Sequence, residues 1–222
     1  MLGDCNPDGV YSLFSKAFSK LERPAPPQCQ TEIVRNVQKV KYETETQDVA
    51  QSKLVMGFRA GIASPDKEVP ATKLMTALLG GTPHSKLFLN VREKLSLCYY
   101  CVARYDSKKG IILVESGVET ENIEKAEKEI LLQLKEIQQG NFTEEEIRST
   151  KLSMSNSYRT VNDYLGGMEN WYLSQALENT AKTPQEAAEE INAVTREQII
   201  QAANQVSLDT VYRLTGKEES SV

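Results

Sequence analysis

Apolar positions along the chain change period several times, and each change marks an element. Val10, Leu13, Phe14, Ala17 and Leu21 recur at helical spacing and predict an amphipathic helix over about 8–22, which Pro24, Pro26 and Pro27 must stop. From 32 to 45 the alternation is loose (Val37, Val40, Tyr42), and from 52 to 62 it is firm (Leu54, Met56, Phe58). That predicts two strands joined by a polar turn at 44–48, the second strand central. Ser64, Pro65 and Asp66 close it, and Ala71, Leu74, Met75, Leu78 and Leu79 cover more than one face of a short buried helix over 71–79.

Gly80 and Gly81 end that helix, Thr82 and Ser85 offer cap-type side chains, and Leu87, Val91 and Leu95 mark one face of a helix over about 85–95. Residues 97–105 then read as a strand, 106–110 as a five-residue loop, and 111–118 as the partner strand of a hairpin. In the second half Thr120 is placed to cap a long helix with Ile123, Ile130, Leu134 and Ile137 inward and Gly140 as its stop. Thr143 with Glu146, Thr183 with Glu186 and Thr195 with Gln198 each have the spacing of a capping box. Gly166 and Gly167 punctuate before a helix over 168–177, and residues 207–215 read as a closing strand. This order predicts an α+β fold, an antiparallel sheet with helices packed on one face.

Composition narrows the function class. The 222 residues are 40% hydrophobic and 26% charged, with a net charge of −5, which argues against a nucleic-acid or anionic-membrane binder. No run approaches the ~18 apolar residues of a membrane span, and Met1 to Cys5 lack the pattern of a secretory signal. The expected location is cytoplasmic. Four cysteines (Cys5, Cys29, Cys98, Cys101) in a chain this long suggest free thiols rather than a disulfide framework. The helix and Pro-rich connector of residues 1–32 read as an arm left from an upstream domain, ahead of one folded domain over 33–222.

Candidate chemistry is sparse. Cys98 and Cys101 form a C-x-x-C, but residues three apart on a regular strand face opposite ways, so only a bulge would bring the sulfurs together. His84 is the one histidine of the chain and lies in a cap-type loop. No zinc site can be built from one histidine without further ligands. The run Glu144, Glu145, Glu146 suits the first turn of its helix. Trp171 and Tyr172 read as packing, and the polar 156–164 segment (Tyr158, Arg159, Asp163) as a surface lining.

The order of two glycines, a small cap, Ser85-x-Leu87-Phe88, then Arg92-Glu93-Lys94, then Leu97-x-Tyr99 entering a strand resembles the C-terminal, noncatalytic half of insulinase/pitrilysin metallopeptidases, the inverzincins, in their bacterial form. The resemblance covers about residues 37–214, with its specificity concentrated in 79–100. It implies a processing-peptidase-like half in which Arg92 and Tyr99, seven positions apart, reach a substrate backbone. It also implies zinc on a H-x-x-E-H helix in another half, upstream or in a partner subunit, and no catalytic or metal-binding residue in this chain. Cys98 stands where the family usually has Gly or Ala, and Tyr100 leaves a second ring beside Tyr99. Two readings follow: a substrate-binding half of a zinc endopeptidase holding an extended peptide, or an inactive scaffold paired with an active partner.

Overall fold

A computed structural model describes residues 3–22 and 31–216. The proline connector and Cys29 lie outside the described residues. Five strands form one sheet: β1 (Lys41–Gln47), β2 (Ser52–Arg59), β3 (Cys98–Asp106), β4 (Ile111–Val118) and β5 (Ser207–Gly216), in the order β1-β5-β2-β4-β3. The firmly alternating strand β2 is central, as its pattern predicts. Its Leu54, Met56 and Phe58 are buried, Val55 and Gly57 between them are half-buried, and Lys53 ahead of them is exposed.

The expected β1–β2 hairpin does not form. Residues 44–47 continue β1, and β5 lies between the two, pairing parallel with β1 (Tyr42 opposite Val211) and antiparallel with β2 (Met56 opposite Val211). Alternation dictates which face a residue takes but not which strand lies beside it. The sheet is therefore antiparallel except at its β1 edge. The β3–β4 hairpin forms with a tighter loop than expected, because Asp106 stays paired with Ile111. Asp106 Oδ1 accepts the Lys108 and Lys109 N–H groups at 3.0 and 3.3 Å, which closes the turn over residues 107–110.

Helices cover one face. Buried Ile112, Val114 and Val118 of β4 and Val211 of β5 meet α2 (Val69–Thr76), α3 (Ile123–Gln138), α6 (Pro184–Ala193) and α7 (Arg196–Asn204) in one apolar cluster. Ile130 and Ile137 of α3 and Ile199 of α7 are wholly buried there, each contributing about 1.5–3 kcal/mol by burial. Thr143 opens α4 (Glu144–Arg159) with a complete capping box, and Thr183 and Thr195 do the same for α6 and α7. Thr120 does not cap α3: its Oγ1 is bonded to Ser52 Oγ at 2.8 Å, and a 3₁₀ turn (Thr120–Asn122) leads into the helix.

Gly166 and Gly167 do not interrupt the chain. They lie in the first turn of α5 (Leu165–Leu177), where a Cβ on Gly167 would come within 2.7 Å of Tyr164 Cζ. The glycines there permit a ring to lie against the helix start. The N-terminal helix α1 (Pro7–Phe18) is shorter than expected, leaving Leu21 beyond its end. Asn6 caps it, and none of its residues is buried.

Candidate functional site

The site begins at a close approach of backbones. After α2 the chain winds through a wide, π-type turn (Ala77–Gly81), and a Cβ on Gly80 would lie 2.7 Å from the Ala103 nitrogen of β3. Only glycine fits against the strand there. The following helix, Leu87–Lys94, is also wound wide: the Leu95 N–H reaches the Asn90 carbonyl at 3.1 Å and the Leu97 N–H the Val91 carbonyl at 3.0 Å. Leu87 and Val91 are fully buried as their spacing predicts, whereas Leu95 is 44% exposed. The extra residue in the last turn rotates Leu95 off the expected face.

Two polar ties hold this helix to its neighbours. Asn90 Nδ2 donates to the Lys86 carbonyl and to Gln133 Oε1 of α3, both at 3.0 Å. The nearly buried Lys86 Nζ lies 3.1 Å from Glu146 Oε1, the same carboxylate that closes the α4 capping box. Arg92 leaves the helix toward solvent with its guanidinium over the Phe88 ring, 4.6 Å from the centroid, and 3.3 Å from Glu93 Oε1.

Ser96, at φ 51°, turns the chain into β3, which begins with a bulge. Cys98 is opposite Val118 and Tyr100 opposite Gly117, so Tyr99 is the inserted residue with no partner across the pair. Tyr99 is 60% exposed, and its hydroxyl donates to Glu119 Oε1 at 2.5 Å. That hydrogen bond and the carboxylate charge raise the phenol above its ordinary pKa. Arg92 and Tyr99 line a single open cavity of about 450 Å³ together with Glu93, Cys98 and Glu119. Tyr100 is not among its lining residues: it sits across from Gly117, its carbonyl accepting Ser116 Oγ at 2.9 Å.

Sequence reasoning missed Glu119, Glu93 and Phe88 as neighbours of the pair. Glu119 follows the last residue of β4 and meets Tyr99 only because of the bulge, which no side-chain alternation announces. The bulge also corrects the expectation for the two cysteines. Ser116 and Val118 share a face of β4, so their partners Cys101 and Cys98 share one on β3, and the thiols meet.

The other candidates take structural roles. His84 is exposed, with its backbone N–H on Thr82 Oγ1 at 3.3 Å. Glu144 pairs with Arg196, Glu145 with Arg148 and Glu146 with Lys86. Trp171 Nε1 donates to the Lys182 carbonyl at 2.8 Å and the ring meets Tyr158 edge-on at 5.5 Å, while Tyr172 is 40% exposed. Tyr158 thus packs, its hydroxyl pushed up to about 12 by burial, and Arg159 and Asp163 are exposed.

A larger hollow of about 990 Å³ lies among α2, α5, α6 and α7, with Lys73, Trp171 and Glu190 in its wall. Burial lowers the Lys73 pKa there. Among the described residues no three His, Cys, Asp or Glu side chains are grouped closely enough to hold a metal ion.

Residues 1–154 match the family model described as the peptidase M16 inactive domain. Over 221 residues the chain is 35% identical to the probable inactive metalloprotease YmfF of Bacillus subtilis (strain 168), an alignment covering 100% of this chain and 52% of that protein. A crystal structure of a conserved protein from Enterococcus faecalis V583 superposes with a TM-score of 0.86 at 31% identity, over 99% of this chain and 52% of that one. A peptidase M16 inactive domain from Pseudomonas fluorescens, at 16% identity and a TM-score of 0.76, shares the fold over 99% of this chain and 54% of that one. The chain spans about half the length of the relatives it matches.

Proposed function

This chain belongs to the peptidase M16 inactive-domain family, and on that premise we propose that it is the substrate-binding half of an insulinase-like zinc endopeptidase. The family description, an inactive domain, fits a noncatalytic role for this half, and the single histidine cannot supply both histidines of a H-x-x-E-H helix. In this reading zinc is held by a catalytic-type half, upstream of residues 33–222 or in a partner subunit. In the same reading residues 1–32 connect such a half to residues 33–222, and the protein works in the cytoplasm.

The observation that carries the reading is the shared cavity of Arg92 and Tyr99 beside the edge strand β3. An extended peptide can add to such an edge through its main chain. Glu93 engages one guanidinium nitrogen of Arg92, and a guanidinium carries five N–H donors, so donors remain for a peptide carbonyl. The Tyr99 hydroxyl supplies another when it releases Glu119. Two donors converging on one carbonyl oxygen polarise the bond and stabilise negative charge developing on that oxygen.

Binding is the direct check. A fluorescently labelled extended peptide is titrated with wild-type protein and with Arg92→Ala and Tyr99→Phe. Weaker binding in both variants supports the reading, and equal affinity in all three contradicts it.

A second reading, an inactive scaffold in a heterodimer, is favoured by the exposed Tyr164, Leu165, Leu173 and Leu177 around α5. Such a cluster of exposed apolar side chains suits a protein partner. Size measurements of the protein with and without an M16 partner half distinguish it: a stable complex without peptidase activity in any combination is its signature.

A further inference from the structure

The β3 bulge puts Cys98, in the wall of the Arg92 cavity, on the same face as the buried Cys101, and neither takes part in the peptide-binding reading. We propose that Cys98 and Cys101 are a reversible oxidation site, in which peroxide converts Cys98 to a sulfenic acid and Cys101 closes a disulfide onto it. Cys98 is half-buried and lines the cavity, so a small oxidant reaches it, whereas Cys101 is only 2% exposed behind it. The shared face follows from the register, Cys98 with Val118 and Cys101 with Ser116. The accessible thiol is thus the attacking one and the covered thiol the resolving one.

The chemistry balances. The Cys98 thiolate attacks one oxygen of hydrogen peroxide, breaking the O–O bond, and the departing hydroxide takes a proton to leave as water. The Cys101 sulfur then displaces hydroxide from the sulfenic acid, and its thiol proton accompanies that hydroxide as a second water. Two electrons pass from the sulfurs to peroxide, and a dithiol reductant reverses the change.

The surroundings favour Cys98 as the nucleophile. The neighbouring Cys101 thiol lowers the Cys98 pKa against the effect of partial burial, and Ser116 and the Arg92 charge add to the lowering. Cys101 is pushed up by the same contact and by burial, and keeps its proton until it attacks. Glu93 and Glu119 face the cavity with the opposite sign. Closure would fix the bulge with Tyr99 between the linked residues. The site stands whether or not Arg92 and Tyr99 hold a peptide.

Both cysteines fall on one tryptic peptide, residues 95–104, so mass spectrometry reads the test directly. Full-length protein is treated with stoichiometric hydrogen peroxide, alkylated and digested. The expected product is that peptide lighter by about 2 Da than its reduced form and restored by dithiothreitol. Cys101→Ser, or Cys101→Ala if the serine unfolds the strand, is expected to leave a sulfenic acid on Cys98 that dimedone traps. Iodoacetamide labelling of Cys98 should be half-maximal below about pH 8.5, the ordinary thiol value. An unmodified peptide, oxidation only to sulfinic acid, a disulfide from Cys98 to Cys5 or Cys29, or a labelling midpoint above about 8.5, the value of an ordinary thiol, overturns the proposal.

Discussion

Tyr99 donates its hydroxyl proton to Glu119 Oε1 at 2.5 Å, across the mouth of the cavity it shares with Arg92. A residue bulged out of an edge strand is thereby fixed in direction by a carboxylate twenty positions away. The pair sets the resting state of the ring, and in the proposed peptide-binding role a substrate carbonyl would compete with Glu119 for the phenol.

Glu119→Gln is expected to lower the Tyr99 pKa, since the hydrogen bond to the carboxylate and then its charge are what raise it. Ultraviolet difference titration of Glu119→Gln against Glu119→Gln with Tyr99→Phe isolates this one ring. The same difference in the wild-type background should have its midpoint at higher pH. Coincident midpoints would show that the contact does not persist in solution.

The Lys86–Glu146 pair fastens the Arg92 helix to α4. Burial works against the Glu146 charge, but the Thr143 N–H and the Lys86 ammonium outweigh it and the pKa is lowered. A depressed carboxylate stabilises the fold above its unfolded pKa, about 4.3, and the contribution is lost as pH falls through the lower folded value. Glu146→Gln keeps a side chain suited to the capping box while removing the charge. It should cost about 1–2 kcal/mol at pH 7, below the cost of breaking a fully buried pair because Glu146 is partly exposed. Urea denaturation at pH 7 and pH 3 measures this, and the difference between variant and wild type should shrink at the lower pH.

Gly80→Ala would place a methyl against the Ala103 backbone, which cannot swing aside like a side chain. Overpacking of this kind costs about 1–3 kcal/mol. Thermal unfolding should show a clear drop in Tm for Gly80→Ala, and little change for Gly166→Ala, where the nearest atom outside the helix is 3.6 Å away.

The features legible in the chain were those decided within a few residues. Three capping boxes, the inward face of α3 and the central place of β2 all follow from local spacing. The Arg92–Tyr99 neighbourhood was legible only through a family resemblance. What escaped depends on pairing at a distance: β5 inserting beside β1, Glu119 meeting Tyr99, and the bulge that turns Cys98 onto the face of Cys101. Wide helical winding was equally hidden, since Leu87, Val91 and Leu95 keep a perfect spacing of four while the last turn takes an extra residue.

The central claim is that Arg92 faces a substrate held by the assembled protease. Its most direct test is turnover of a quenched fluorescent peptide by the complete protein, native or reconstituted with a H-x-x-E-H half, comparing wild type with Arg92→Ala. The account predicts a loss of about 100-fold, the scale for removing one donor from a developing oxyanion. Turnover unchanged by the substitution would contradict it, and an absence of zinc-dependent turnover in both proteins would favour the scaffold.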